Sequence, residues 1–212
     1  MGDTRFDRVL ERKRESSPAG TCWRISKNCG LVVLAGSTWP KDEFHLLGAL
    51  ARVTKKAKDL LVIIAPHEPV DERVADLRAW AATNNLRAVT LGALDARGAR
   101  EPNQTDDASN APGTSGSSSQ GKSDERVIIV DSVGVLAELY ESADLAYVGG
   151  SFSSGVHNVI EPAIMGIPVL FGPVHKNSFE ALELLNNGAA IEVTNEDDIF
   201  NSLDTLLEDC LL

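Results

Sequence analysis

Seven short runs dominated by Val, Leu, Ile and Ala recur along the chain: LVVLAG (31–36), LLVIIAP (60–66), RAVTL (87–91), RVIIVD (126–131), LAYVGG (145–150), IPVLFG (167–172) and AAIEV (189–193). Apolar residues follow one another in these runs and do not alternate with polar ones, which is the pattern of strands covered on both faces. Between most of them lie residues at helical spacing. Val70, Val74, Leu77 and Ala81 form one stripe, Leu136, Leu139, Tyr140 and Ala143 a second, and Ile199, Phe200, Leu203, Leu206 and Leu207 a third. Alternating strand and helix predicts an α/β fold, a Rossmann-like doubly wound sheet that is mainly parallel and joined by right-handed crossovers. In such sheets ligands bind where strands end and helices begin.

Two segments break the alternation. Residues 95–125, DARGAREPNQTDDASNAPGTSGSSSQGKSDE, hold no aliphatic side chain larger than Ala. A stretch so poor in apolar surface does not offset the entropy of ordering itself, so a disordered insertion between two strands is predicted. The first thirty residues carry a charged helical stretch, RFDRVLERKRE, then a Ser-Pro-Ala-Gly break, and no strand before Leu31. They read as a connector, leaving residues 31–212 as one ligand-binding domain.

Composition narrows the chemistry. A length of 212 residues suits one α/β domain with an extra segment. The formal net charge of -11 gives no general attraction to nucleic acid or to anionic lipid, so any bound phosphate must be held by local groups. The three cysteines, Cys22, Cys29 and Cys210, are odd in number and lack metal-ligand spacing, which points to a reduced, cytoplasmic setting. No run of about eighteen apolar residues occurs, and the amino-terminal stretch lacks a signal-peptide core. A water-soluble chain is expected.

The polar clusters follow strands. Ser37 and Thr38 end the first run, His67 and Glu68 follow the second, and GGSFSSGVHNVIEP (149–162) follows the fifth. Gly149 and Gly150 give that last loop backbone freedom and let a ligand approach the main chain. Pro162 fits poorly inside a helix, so the next helix should begin near Asn158 to Glu161, with its positive end toward the loop. A phosphate is stabilised in such a place, with His157 and Asn158 as donors and Glu161 as an acceptor for ribose hydroxyls. The bland reading of the same residues is equally physical: Asn158 and Glu161 have the spacing of a capping box, Ser37-Thr38 that of an N-cap, and His67-Glu68 that of a polar turn. His45 reads as a helix-surface residue, and His175, Lys176 and Asn177 as a further strand-end cluster at the rim.

Four stretches together resemble the C-terminal half of the bacterial 3-deoxy-D-manno-octulosonic acid (Kdo) transferases, which attach Kdo to lipid A precursors. They are GDTRFDRV (2–9), LAGSTWPKDE (34–43), VIIAPHEP (62–69) and DLAYVGGSFSSGVHNVIEPAIMGIPVLFGP (144–173). The resemblance implies the donor-binding domain of a GT-B glycosyltransferase that is inverting, metal-independent and without a cofactor, with CMP-Kdo as donor. The binding residues it implies are Ser37, Thr38, His67, Glu68, Gly149, Gly150, Ser151, Gly155, His157, Asn158 and Glu161. It also implies that GDTRFDRV is the hinge, so that the acceptor domain, with its membrane anchor, its lipid A precursor site and the general base, lies in a missing half, and the fragment alone is inactive. Full-length members are expected at the cytoplasmic face of the bacterial inner membrane. Two positions depart from many relatives: Pro66-His67-Glu68 stands where they have Pro-Arg-His, and Gly155-Val156-His157-Asn158 where they have Gly-Gly-His-Asn.

Direct displacement at the anomeric carbon of Kdo, with CMP leaving, is the mechanism so implied. Charge developing on the leaving phosphate would be stabilised by the glycine loop. Fold alone does not separate this from a UDP-sugar-dependent GT-B transferase or epimerase, or from a non-catalytic nucleotide-binding module. A dinucleotide oxidoreductase is weaker, because no G-x-G-x-x-G follows the first strand.

Overall fold

The computed structural model describes residues 30–98 and 125–209. The expected connector before Gly30, the three cysteines and residues 99–124 of the expected insertion lie outside the described residues. All seven apolar runs form strands: β1 (Val32–Thr38), β2 (Leu61–Pro66), β3 (Ala88–Thr90), β4 (Val127–Ile129), β5 (Leu145–Val148), β6 (Val169–Phe171) and β7 (Ala190–Glu192). They make one sheet in the order β3-β4-β2-β1-β5-β6-β7, with every neighbouring pair parallel.

The helices are α1 (Pro40–Lys56), α2 (Asp71–Thr83), α3 (Leu91–Gly98), α4 (Leu136–Leu139, continued by a 3₁₀ turn to Ser142), α5 (Ile160–Met165), α6 (Phe179–Asn186) and α7 (Glu196–Asp209). Side chains alternate across each strand, so the sheet has two packed faces. Val33, Ala35, Val62 and Ile64 meet Leu46, Leu50 and Val53 of α1, Leu77 of α2 and Leu203 of α7 on one side. Val32, Leu34, Leu61 and Ile63 meet Leu91, Leu139 and Tyr140 on the other. Helix α1, not singled out by the apolar spacing above, carries Pro at its start, acids in its first turn and lysines in its last, all in accord with the helix dipole. Its carboxyl end is closed by Arg126, which donates to the carbonyls of Thr54, Ala57 and Leu60.

Three expectations shift at their edges. Val70 lies before α2 and is exposed, so that stripe begins at Val74. The stripe at 136–143 is a single helical turn that tightens into 3₁₀ geometry. Residues Asp95 to Gly98, assigned to the insertion, finish α3, because Leu91 seeds that helix against the sheet.

Chain order reverses its direction across the sheet between β1 and β5. From β1 the chain builds outward through β2 to β3 and β4, then returns to place β5 on the other flank of β1. The carboxyl ends of β1 and β5 therefore bound the switch-point crevice, the place where α/β sheets bind ligands. The end of α3 and the amino end of β4 instead lie at the opposite edge of the sheet, where Arg97 Nη1 and Glu125 Oε1 are 2.8 Å apart. Replacing 99–124 by a short Gly-Ser linker is expected to keep the fold and, by shortening the loop, to add about 1 kcal/mol of stability. A thermal melt lowered by more than a few degrees would contradict this.

Candidate functional site

Strand β1 ends in an irregularity. Gly36 pairs with Ala65 and Thr38 with Pro66, so Ser37 is skipped, at φ 53. A left-handed backbone at a non-glycine residue stores strain, and here it lies at the switch point. The Ser37 carbonyl sits where a Cβ on Gly149 would be, which is why that position is glycine. Gly149 N–H donates to Gly36 O at 2.9 Å and His67 N–H to Thr38 O at 2.9 Å. The three strand-end loops are thereby stitched side by side.

The loop after β5 is held from below by Asp42 of α1, a fully buried side chain. Asp42 Oδ2 accepts from Gly150 N–H at 2.8 Å and Trp39 N–H at 3.0 Å; Oδ1 accepts from Tyr147 O–H at 3.0 Å and Phe152 N–H at 3.2 Å. Burial first, and the Asp42 charge second, push the Tyr147 phenol far above its ordinary range, so it remains a donor. From the other side the loop is braced by the segment after β6. Gly172 N–H donates to Ser151 Oγ, Val174 N–H to Ser151 O, Val156 N–H to Val174 O and Asn177 Nδ2 to Val156 O. Gly150 and Gly155 have φ of 82° and 130°, within the range that favours glycine.

Above the loop three rings meet. Trp39 Nε1–H donates to His157 Nε2 at 2.8 Å, and the two rings are nearly coplanar at 8°. His67 lies over both, with centroids 4.6 Å from Trp39 and 4.5 Å from His157. Burial, followed by the His67 charge, holds His157 below the usual histidine value, against a smaller opposing pull from Asp42. A neutral imidazole at position 157 is the result near neutral pH.

The expected site residues divide into two groups. Ser37, His67, Glu68, Gly149, Gly150, Gly155, His157, Asn158 and Glu161 belong to the loops and the helix start around the β1/β5 crevice. Asn158 Oδ1 accepts from Ile160 N–H at 3.0 Å, and α5 begins at Ile160, within the expected range. The Glu161 charge reaches buried Tyr140, whose phenol is raised mainly by burial. Thr38 and Ser151 do not face the rim. The Thr38 hydroxyl donates to buried Glu43 at 2.9 Å, and Ser151 is fully buried, donating to Val148 O while accepting from Gly172. Both brace the loops from within, because each lies on the side that packs against the fold. Glu43 is pushed above the usual carboxylate range by burial, with Thr38 and Arg73 opposing.

His45 is half-buried and stacked on Phe152, with centroids 4.4 Å apart. His175 is buried beside Gly172 O and Glu192, Asn177 bonds to the loop, and Lys176 is exposed. Asp42 and Trp39 are the contributors that sequence reasoning missed. Trp39-Pro40 reads as a helix entry and Asp42 as its first-turn acid; only the fold brings Gly150 and His157 to them.

No family model matches the chain. Among curated proteins, it is 30% identical over 177 residues to the 3-deoxy-D-manno-octulosonic acid transferase of Rickettsia typhi, an alignment covering 83% of this chain and 33% of that protein. The chain thus spans about a third of the length of the curated relatives it matches. Among solved structures, the C-terminal CMP-Kdo binding domain of WaaA from Acinetobacter baumannii superposes with a TM-score of 0.62 at 22% identity, over 97% of this chain and 88% of that one. HepE from Anabaena, solved with UDP-glucose, gives 0.53 at 15% identity, over 100% of this chain and 45% of that one. These likenesses show the Rossmann-like α/β fold that the sheet shares with those structures. The sequence match to the curated enzymes goes further: most of this chain is similar to about a third of a 3-deoxy-D-manno-octulosonic acid transferase.

Proposed function

We propose that this chain binds the CMP-Kdo donor of a Kdo transferase, with the phosphate and ribose of CMP in the β1/β5 crevice. The observation that carries the reading is the convergence, at the topological switch point, of a glycine loop, His157 and the start of α5. Helix α5 has only six residues, so its first-turn N–H groups and the loop matter more than a long helix dipole. His157 and Asn158 donate to phosphoryl or sugar oxygens, and Glu161 accepts from the ribose hydroxyls. As the bond from Kdo to CMP breaks, the phosphate gains charge, and fixed donors stabilise that state more than the bound donor. Because the chain spans about a third of its relatives, the lipid A precursor site and the general base fall in this reading to the remainder of the enzyme, at the cytoplasmic face of the bacterial inner membrane.

Calorimetric titration with CMP and UMP tests the reading. CMP should bind more tightly than UMP, and Glu161→Gln should weaken CMP by about 1–3 kcal/mol, the range for leaving a hydrogen-bonding group poorly paired, with the melt unchanged. A capping role alone predicts little change in either, since Gln also serves at that position. Preference for UMP would move the assignment to a UDP-sugar enzyme.

A further inference from the structure

Trp39 carries a consequence beyond the nucleotide reading, on which its ligand half rests. An indole N–H donates and never accepts, so His157 Nε2, 2.8 Å from Trp39 Nε1, must be the acceptor of the pair. The proton of the neutral imidazole then sits on Nδ1. The near-coplanar rings make the bond well aligned, and His67 stacked over both holds them in that plane. The loop that carries His157 is fixed in turn, since His157 N–H donates to Gly149 O at 3.0 Å while Gly150 is tied to Asp42. Ring position and proton position are therefore set by separate bonds.

We propose that Trp39 is a positioning residue whose indole N–H locks His157 as its Nδ1–H tautomer, so that a neutral imidazole offers a single, directed N–H donor to an anionic ligand in the β1/β5 crevice. Without that lock a neutral histidine divides between tautomers, and the fraction protonated on Nε2 turns a lone pair toward the anion from Nδ1. Direction, not positive charge, is then what this histidine supplies.

Long-range proton–nitrogen correlation spectra of the isotope-labelled chain read the tautomer directly. In the wild type above neutral pH, His157 should be protonated on Nδ1 with Nε2 bare, and a mixture or the opposite tautomer overturns the proposal whether or not CMP binds. Trp39→Phe keeps a ring under His67 and removes the N–H; His157 should then divide between tautomers, and CMP affinity should fall about 5- to 10-fold. If the tautomer changes and CMP affinity does not, the positioning role is wrong while the nucleotide reading stands. A wild type that shows Nδ1–H and binds no CMP sinks the nucleotide reading and the ligand half of this one. Should Trp39→Phe fail to fold, the wild-type spectrum alone still decides the tautomer.

Discussion

Replacing Asp42 by alanine is expected to lower the unfolding free energy by about 3 kcal/mol and to abolish CMP binding. The carboxylate is fully buried and accepts four hydrogen bonds, three from backbone N–H groups and one from Tyr147. Its removal leaves four donors without their acceptor, each costing about 1–3 kcal/mol if it stays dry. The net loss is smaller than that sum for two reasons. Water entering the vacated space satisfies some donors, and the desolvation of the carboxylate itself is no longer opposed to folding. Binding suffers more than stability, because Gly150 and Phe152 belong to the loop while the sheet beneath is packed independently. Asp42→Asn probes the same point at nearly constant volume. Its amide presents a donor toward either Gly150 N–H or Phe152 N–H, so it should bind CMP poorly even where its denaturation midpoint lies close to wild type. A destabilisation of Asp42→Ala under about 1 kcal/mol, with CMP affinity retained, would show that the loop holds itself.

The strands were legible because buried parallel strands leave a strong mark, uninterrupted branched apolar residues, and all seven runs became strands. Their order was not legible. Which strand flanks β1 depends on crossover choices that leave no trace in any one run, so the switch point emerged only with the fold. The loop residues show the same limit at finer scale. Thr38 and Ser151 are polar and sit among ligand-type residues, yet both point inward, and polarity says nothing about facing. Asp42 and Gly150 are 108 residues apart in sequence, and Trp39 and His157 are 118 apart. Long-range pairs of this kind cannot be read from local spacing, whereas the glycines could, because a main chain pressed against another main chain admits no side chain.

Gly150→Ala and Gly166→Ala form a pair that separates backbone strain from the shape of the site. Both residues lie at positive φ, 82° and 76°. Each substitution therefore incurs about 1–2 kcal/mol for placing a side chain in the left-handed region. There the likeness ends. A Cβ on Gly166, at the carboxyl end of α5, has nothing within 4 Å, so Gly166→Ala should lose only that strain and keep its CMP affinity. A Cβ on Gly150 would overlap the Gly155 carbonyl oxygen and stand 2.5 Å from the His157 Cδ2. One obstacle is backbone and the other is the ring held by Trp39, so relief of the clash must open the loop or displace His157 from its partner. Gly150→Ala should accordingly lose about 2–4 kcal/mol of stability and bind CMP at least about tenfold more weakly, the second effect following from a displaced donor. Chemical denaturation and calorimetric titration of both variants measure the two quantities separately. If Gly150→Ala matched Gly166→Ala in both, the loop after β5 would be a turn that happens to contain glycines, and CMP would have to be sought elsewhere on the rim.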